Sequence, residues 1–242
     1  MSPPLFLVRE LPSGDRYRLD GPEGHHAATV QRLRPGEELL LGDGAGGMAF
    51  CRVLAATKGA LDVEVRQRWT EPRPTPAVTV VQGLAKGDRA ELAVQAMTEA
   101  GVDTIVPWSA ARSVVRWKGD RGDRAVARWR AIVREATKQS RRAWQPEVTD
   151  PMSTKAVCDV VASHAAYLLH EEAEQPLTTV PLPTDRDVLL VVGPEGGIAP
   201  EEVEAFTRAG AVPVRLGREV LRTSTAGVAA LAVLHTRTGR WA

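Results

Sequence analysis

Five short apolar segments, separated by stretches with helical periodicity, dominate the chain after residue 77. They cover residues 78–82, 104–106, 166–169, 188–192 and 212–216. Helices are predicted between and after them: one ending at Gly101, a long one at 123–144, one beginning at Pro200 and one at 225–238. Apolar strands joined by helices are typical of a parallel sheet that is buried on both faces. We therefore predict an α/β domain.

A proline-rich stretch separates this region from the first part of the chain. Residues 69–76 contain three prolines, which favours a stiff, extended linker. Before it the pattern is mostly β, with strands predicted at 39–41, 49–55 and 60–65 and one short helix at 25–33. We therefore predict a small β-barrel domain of about five strands at residues 1–70, a linker at 71–76 and the α/β domain at 77–242.

Basic residues concentrate in one part of a chain whose formal net charge is only +1. Between Arg112 and Arg142 there are 11 Lys/Arg and 3 Asp/Glu. Such an excess favours a surface that binds a polyanion such as RNA, although a solvated helix face is the ordinary alternative. Trp117, Trp129 and Trp144 lie in or beside this stretch, and we expect them either to stack on unpaired bases or to pack in the core.

The composition argues against several other classes of protein. With 43% hydrophobic and 25% charged residues, the chain matches ordinary globular proteins. No apolar run has the length of a membrane span, and Leu5-Phe6-Leu7-Val8 is too short for the apolar part of a signal peptide. Cys51 and Cys158 fit no metal-binding or redox spacing, so we expect a reducing, cytoplasmic location and no metal site.

A glycine-rich loop follows the fourth apolar segment. Gly193-Pro194-Glu195-Gly196-Gly197 stands between strand 188–192 and the helix that begins at Pro200. Ligands of open parallel sheets bind beyond the carboxyl ends of the strands, and glycine lets a ligand approach the backbone closely. The spacing matches neither a dinucleotide fingerprint nor a P-loop. An adenosyl ligand without phosphates suits this loop, and a tight strand-to-helix turn without any ligand is the alternative.

A second glycine-bearing loop follows the fifth segment. It carries Leu216-Gly217 and Leu221-Arg222-Thr223 into the last helix. If this loop has only a structural role, the hydroxyl groups at 223–225 would serve as helix caps. Two such loops at strand ends of one small sheet predict two walls of a single pocket.

These two loops resemble, in order and spacing, those of the SPOUT class of RNA methyltransferases, and within it the ribosomal RNA small-subunit methyltransferase E family. Further similar pieces are spread over nearly the whole chain: His25-His26, Arg32-Leu33-Arg34-Pro35-Gly36, Lys86-Gly87-Asp88-Arg89, Glu99-Ala100-Gly101-Val102, Arg112-Ser113, Arg128-Trp129, Glu135-Ala136, Gln139-Ser140 and Arg142. Two positions depart from the family pattern. The stretch that begins at Leu5 lacks the usual arginine, and Ser224 replaces a glutamate often found between the two threonines.

The resemblance implies a fold and an activity. The implied fold is a small PUA-like β-barrel followed by an α/β SPOUT methyltransferase domain whose chain forms a deep trefoil knot. The family acts as a homodimer and uses S-adenosyl-L-methionine to methylate N3 of a uridine in the 16S ribosomal RNA of the small ribosomal subunit. Alternatives are another SPOUT methyltransferase that acts on tRNA or on a ribose 2′-hydroxyl, or a non-catalytic RNA-binding module.

The loops and the resemblance together assign candidate site residues. For the cofactor these are Leu168, Leu169, His170, Gly193, Pro194, Glu195, Gly196, Gly197, Leu216, Gly217, Leu221, Thr223, Thr225 and Ala226. For RNA phosphates these are Arg34, Lys86, Arg89, Arg112, Arg116, Arg128 and Arg142. Arg222 is the candidate for stabilising negative charge on the uracil. Glu195 is the candidate for accepting a proton or a cofactor hydrogen bond, and a turn cap is its structural alternative.

Overall fold

The computed structural model describes residues 2–183 and 186–241, which form two compact units. The first unit consists of the chain up to Arg73 together with Thr137–Gln145. The second consists of Pro74–Ala136 and Pro146–Ala242. The first unit is therefore discontinuous in sequence.

The first unit is built on a five-stranded sheet with the order β1-β3-β4-β5-β2. Its strands are β1 (Leu5–Leu7), β2 (Arg16–Leu19), β3 (Glu38–Gly42), β4 (Gly47–Thr57) and β5 (Ala60–Thr70). β1 and β3 pair in parallel, and the other neighbours pair antiparallel. Phe6, Leu41, Val53 and Leu61 are among the buried residues that fill its core. The three strands predicted in this region are confirmed.

A short helical segment interrupts these strands, and it differs from the helix predicted at 25–33. It consists of α1 (Gly21–His25) followed directly by a π-helical turn (His26–Val30). Pro22 stands in the first turn of α1, where its missing N–H is tolerated. Arg32 has a φ of 58°, which is incompatible with a helix continuing to residue 33.

The second unit is built on a six-stranded sheet in which every neighbouring pair is parallel. The order is β11-β9-β10-β6-β7-β8. Its strands are β6 (Val78–Gly83), β7 (Thr104–Trp108), β8 (Glu147–Val148), β9 (Ala165–Leu169), β10 (Val188–Val192) and β11 (Val212–Val214). The predicted parallel sheet and its five predicted strands are confirmed. The sequence did not predict β8, because a two-residue edge strand has no recognisable apolar run.

Helices cover both faces of the parallel sheet. They are α2 (Asp88–Ala100), α3 (Gly119–Ser140), α4 (Thr154–Val161), α5 (Pro200–Arg208) and α6 (Thr223–Thr238). On one face, Val94 of α2 and Leu231 of α6 share a core cluster with Leu190 of β10. On the other, Phe206 of α5 packs in a cluster with Val191. Leu190 and Val191 belong to different clusters because successive side chains of a strand point to opposite faces.

Local sequence signals set most of the helix ends. Gly101, with a φ of 103°, ends α2, and Pro200 begins α5, as predicted. The predicted bounds of α3, 123–144, are wrong: the helix runs Gly119–Ser140, and the positive φ of Arg141 (56°) follows its end. Within residues 2–183 and 186–241, none of the helices combines the length and apolar character that crossing a membrane requires.

Candidate active site

A cleft of about 820 Å³ opens at the carboxyl ends of β9, β10 and β11. Because the strands are parallel, the segments that follow these three strands meet at the same edge of the sheet. Most of the cleft wall is formed by residues 169–172, 192–198, 214–217 and 219–223, with Arg89 and Arg112. The two glycine loops therefore line one cavity, as their positions after neighbouring strands predict.

The first glycine loop packs tightly within the second unit. A Cβ atom on Gly196 would lie 2.9 Å from the carbonyl oxygen of Arg112 and 3.1 Å from the Cβ of Arg112. Gly197 has a φ of 73°, in the left-handed region that favours glycine, and its N–H donates to the carbonyl of Pro194 over 2.9 Å. Glycine is thus required here by the loop's own packing and backbone, in addition to any ligand.

The second glycine loop is anchored by a hydrogen bond where it begins, and several of its backbone N–H groups have no acceptor within the described part of the chain. The carbonyl of Arg215 accepts from the N–H of Leu177 over 2.8 Å. Within the described part of the chain, the backbone N–H groups of Leu216, Gly217 and Leu221 donate to no protein acceptor. These residues line the cleft, so their N–H groups are available to a ligand.

A buried hydrogen-bond relay joins the two loops. The hydroxyl of Thr223 donates to the carbonyl of Gly193 over 2.8 Å, and it therefore accepts from Nε2 of Gln82, also over 2.8 Å. Nε2 of Gln82 additionally donates to the carbonyl of Gly83 over 3.2 Å. Gln82 is 0% exposed and Thr223 is 7% exposed. Thr223 does not cap α6, because Arg222 occupies the N-cap position.

All but two of the predicted cofactor-binding residues line the cleft. The lining residues are Leu169, His170, Gly193, Pro194, Glu195, Gly196, Gly197, Leu216, Gly217, Leu221, Thr223 and Ala226. Leu168 is fully buried in the core cluster on one face of the sheet, whereas Leu169 packs against the cluster on the other face. Thr225 is exposed, and its hydroxyl donates to the carbonyl of Arg222 over 3.2 Å. Leu168 and Thr225 therefore do not line the cleft, and their assignment to the cofactor stays a prediction.

The two candidate catalytic side chains, Arg222 and Glu195, are exposed on this cleft. One carboxylate oxygen of Glu195, Oε1, accepts from the backbone N–H of Lys86 over 3.1 Å. The guanidinium of Arg222 forms no ion pair or hydrogen bond with the residues that the structure describes. Arg222 is therefore available to an anionic ligand, while Glu195 also fastens the loop that precedes α2.

The basic residues predicted to bind RNA lie in several places. Arg89 and Arg112 line the cleft, and Lys86 is exposed beside Glu195. Arg34 and Arg142 belong to the first unit. The prediction therefore combines residues of the cleft with residues of a separate compact unit.

Arg116 and Arg128, also predicted to bind RNA, have protein partners. The guanidinium of Arg116 donates to the carbonyls of Ala110 and Ala111 over 2.6 and 2.9 Å. Arg128 is exposed and pairs with Glu91 over 2.8 Å, and its hydrogen bonds lower the pKa of the Glu91 carboxyl against a smaller opposing effect of burial. Both arginines thus have structural partners that an RNA phosphate would join or replace.

Of the two alternatives for the tryptophans of the basic stretch, stacking on bases or packing in the core, Trp129 takes the second. That side chain is 2% exposed and belongs to the main core cluster of the second unit. Trp117 packs edge-on against it, with 5.0 Å between ring centroids. In the first unit, Trp144 is half-buried and donates from Nε1 to the carbonyl of Glu71 over 3.0 Å. Aromatic residues at helical spacing here serve packing.

The cysteines carry no reactive signature. Burial raises the pKa of the Cys51 thiol to about 11, against a smaller opposing effect of Arg68. Burial also raises the pKa of Cys158. Both thiols are therefore protonated near neutral pH and are poor nucleophiles. Among residues 2–183 and 186–241, no three His, Cys, Asp or Glu side chains are grouped as metal ligands.

The chain matches two protein-family models. The model described as an RNA methyltransferase domain matches residues 71–235, and the model described as an RNA methyltransferase PUA domain matches residues 19–66. Over 98% of its length, the chain is 51% identical to ribosomal RNA small subunit methyltransferase E of Mycobacterium bovis and covers 93% of that protein. The chain belongs to the ribosomal RNA small subunit methyltransferase E family.

Other members of the ribosomal RNA small subunit methyltransferase E family are similar over nearly the full length. The Bacillus subtilis member is 31% identical, with 96% of this chain and 93% of that protein covered. A solved structure from Neisseria gonorrhoeae, bound to S-adenosyl methionine, is 28% identical with a TM-score of 0.86 and 98% coverage of both chains. A PUA-like unit and an α/β unit with a parallel sheet are thus the architecture of this family member.

Gln82 is a site residue that sequence reasoning missed. It stands at the end of an apolar strand, where the pattern predicts only core. Its buried amide nevertheless reaches Thr223, which lies 141 positions further along the chain. The one available signal was a polar side chain within an otherwise apolar strand, because such a group needs a partner when buried.

Proposed function

We propose that this chain is an S-adenosyl-L-methionine-dependent methyltransferase that methylates N3 of a uridine in the 16S ribosomal RNA of the small ribosomal subunit. One observation carries the proposal: Arg89, Arg112 and Arg222 line the same cleft as two glycine loops that a buried relay joins. Membership of the methyltransferase E family supports the reaction class. A ribosomal RNA substrate implies a cytoplasmic enzyme.

The cleft suits the proposed cofactor in size and chemistry. A volume of about 820 Å³ lies within the range of small-molecule sites. Leu169, Leu216 and Leu221 offer apolar contacts to an adenine ring, and the unused N–H groups of the second loop offer hydrogen-bond donors. The bound S-adenosyl methionine of the Neisseria gonorrhoeae relative supports this assignment.

The charged residues of the cleft suit methylation of uracil N3. S-adenosyl-L-methionine supplies an electrophilic methyl group on its sulfonium sulfur. The N3 proton of uracil must leave, and the negative charge that develops spreads to O2 and O4. Arg222 stabilises this charge, and Glu195 is the candidate acceptor for the proton or for a cofactor hydrogen bond. The cleft walls contribute by holding the base in line for transfer.

Basic residues outside the chemistry would hold the RNA backbone. We assign this role to Lys86, Arg89 and Arg112 around the cleft, with Arg116 and Arg128 contributing where RNA joins their existing partners. The first unit, proposed as an RNA-binding domain at residues 1–70 with a linker at 71–76, adds Arg34, and Arg142 belongs to the same compact unit. Contacts of this kind position RNA without reading its sequence.

Two finer features belong to the same proposal: the SPOUT trefoil knot and a homodimer. The segment between β9 and β10 bonds to two later parts of the chain, which supports a threaded C-terminal region. Leu177 in this segment donates to Arg215 over 2.8 Å and accepts from Arg237 of α6 over 2.7 Å.

For the homodimer, Leu92 and Val220 are 52% and 76% exposed and offer apolar surface to a second copy. Analytical ultracentrifugation measures the oligomeric state.

Mass spectrometry of 16S ribosomal RNA from cells that lack this protein tests the proposed function. We expect one N3-methyluridine to be missing and to return with the wild-type chain. Purified protein with small subunits and labelled S-adenosyl-L-methionine should restore the same mark. A mark on tRNA or on a ribose 2′-hydroxyl would instead identify another SPOUT methyltransferase. RNA binding without methyl transfer would identify a non-catalytic binding module.

The relay between the loops gives a prediction about cofactor affinity. Thr223→Val keeps the side-chain shape but neither donates to Gly193 nor accepts from Gln82. We expect S-adenosyl-L-methionine to bind about 10-fold more weakly, since leaving buried polar groups unpaired costs about 1–3 kcal/mol. Calorimetric titration measures the affinity. Thr236→Val is the matched control, because Thr236 is exposed on the same helix and, among the residues that the structure describes, its hydroxyl bonds only to the carbonyl of Ala232. Equal affinities of the two variants would contradict the role of the relay.

A further inference from the structure

Glu202 is a buried carboxylate with partners from three different segments. It stands in the first turn of α5 and is 6% exposed. Its Oε1 accepts from the N–H of Ala111 and from the hydroxyl of Thr154, each over 2.8 Å, and its Oε2 accepts from the N–H of Ala199 over 3.2 Å. Of these interactions, the bond to the N-cap residue Ala199 is local to α5, as is the favourable position of a carboxylate at the positive end of the helix dipole. The other two bonds reach the loop after β7 and the start of α4.

The loop that Glu202 holds carries Arg112 to the cleft. Arg112 follows Ala111 directly, lines the cleft and approaches the carbonyl of Gly196 with Nη1 at 3.4 Å. A Cβ atom on Gly196 would lie 2.9 Å from the carbonyl oxygen of Arg112, so the two backbone segments are in close contact. The hydrogen bond from the N–H of Ala111 to Glu202 therefore holds the backbone one residue before Arg112. The carbonyl of Arg112 in turn packs closely against Gly196 of the first glycine loop.

Two further contacts hold the same loop and make it a fixed rather than a free segment. The guanidinium of Arg116 donates to the carbonyl of this same peptide, that of Ala110, over 2.6 Å, and to the carbonyl of the next peptide, that of Ala111, over 2.9 Å. Trp108, at the end of β7, donates from Nε1 to the hydroxyl of Thr154 over 3.1 Å, and that hydroxyl donates onward to Glu202. Glu202 accepts from the backbone of this loop and, through the hydroxyl of Thr154, is linked to the end of β7.

We propose that Glu202 is a positioning residue for RNA: by fixing Ala111, it keeps Arg112 at the mouth of the cleft. The inference rests on the proposed function, in which Arg112 binds the RNA backbone. Glu202 does not line the cleft, so it acts through the loop and not by contact with substrate. In the proposal its effect on RNA is exerted through the guanidinium of Arg112, which this loop brings to the cleft.

Amide hydrogen exchange tests the structural half of this proposal without any activity. Glu202→Gln keeps the size of the side chain but removes its negative charge and replaces one oxygen that accepts hydrogen bonds with an NH₂ group. We expect the amide of Ala111 to exchange at least about 10-fold faster, because it loses a charged acceptor. Glu201→Gln is the matched control, since Glu201 is the exposed neighbour in the same helical turn. Unchanged exchange of Ala111 in Glu202→Gln would overturn the proposal.

A double-mutant cycle tests the functional half. Glu202→Gln and Arg112→Ala should each raise KM for small subunits about 10-fold, and the double variant should match Arg112→Ala within about twofold, because residues that act through one another are not additive. Affinity for S-adenosyl-L-methionine should stay within about threefold of wild type. If the increases in KM of the two single variants instead multiply in the double variant, the proposal is overturned. A Glu202 with a merely structural role would raise KM by the same factor whether residue 112 is arginine or alanine.

A second variant and the wild-type control keep the outcomes distinguishable. If Glu202→Gln does not fold, Thr154→Val removes one donor to Glu202 and should raise KM for small subunits in the same non-additive way, by about threefold. No change in that variant would overturn the proposal. If wild-type protein methylates no RNA, the proposed function fails and the functional role of Glu202 with it, whereas the exchange of Ala111 still decides whether Glu202 fixes the loop.

Discussion

Replacing Gly196 with valine is expected to lower the affinity for S-adenosyl-L-methionine by about 100-fold, since overpacking a tight contact costs about 1–3 kcal/mol. A Cβ at this position would lie 2.9 Å from the carbonyl oxygen of Arg112, and the backbone cannot yield as a flexible side chain can. Valine adds two further methyl groups. The first glycine loop must therefore move away from Arg112, and the cleft loses the shape of one wall. Calorimetric titration of the purified variant measures this loss.

The control for Gly196→Val must separate loss of the cleft from loss of the fold. Gly14→Val is suitable, because within 4 Å a Cβ on Gly14 would meet, of the atoms in the described part of the chain, only the carbonyl oxygen of Arg16, at 4.0 Å. We expect this variant to bind the cofactor like wild type. The circular dichroism spectrum of Gly196→Val should match that of the wild type, because the strands of both sheets exclude this loop. Wild-type affinity in Gly196→Val would contradict the assignment of the loop to the cofactor.

The sheet of the second unit and the meeting of its two loops were predictable because both follow from short-range patterns. An unbroken apolar run such as 188–192 forms a strand buried on both faces, and parallel strands place the segments that follow them at one edge. The pattern was less informative at Leu168, where it located the strand but not the face of each side chain. Leu168 and Leu169 point to opposite faces, so only one of them lines the cleft.

The contacts that hold the site in place were not predictable, because they join residues that are distant in sequence. Gln82 and Thr223 are 141 positions apart, and Ala111 and Glu202 are 91 apart. A glutamate in the first turn of a helix is ordinarily explained by the helix dipole alone. Neither its burial nor its partners in the loop after β7 can be derived from local pattern. Both contacts depend on the tertiary fold that the local patterns assemble.

The tryptophans of the basic stretch show what composition leaves open. A stretch with 11 Lys/Arg is compatible with tryptophans that bind bases and with tryptophans that pack in the core, and the structure places Trp129 in the core with Trp117 packed against it. The helical periodicity of α3 places its apolar and basic residues on different faces, and Trp129 lies on the apolar one. The RNA contacts proposed for this segment therefore depend on its charge alone, whereas Trp129 and Trp117 belong to the packing of the second unit.

Replacing Arg222 with alanine is expected to lower kcat for RNA methylation by about 100- to 1,000-fold, the usual effect of removing a group that stabilises charge in the transition state. The guanidinium lines the cleft and has no competing ion pair among the described residues. Affinity for S-adenosyl-L-methionine should stay within about twofold of wild type, because the proposed cofactor contacts are made by backbone and apolar groups. Single-turnover assays with small subunits and labelled cofactor measure the chemical step.

Arg222→Lys and Arg218→Ala make this prediction specific. Lysine keeps the positive charge without the planar fork, so we expect an intermediate kcat. Arg218 lies four positions earlier in the same loop and does not line the cleft, so its replacement removes an equal charge nearby and should leave kcat within about twofold. A raised KM for RNA with an unchanged kcat in Arg222→Ala would place this residue in RNA binding instead of chemistry. Both alanine variants remove one positive charge from the loop. If kcat falls in Arg222→Ala and not in Arg218→Ala, the negative charge that develops on the uracil is therefore stabilised by the guanidinium of Arg222 and not by the net charge of the loop.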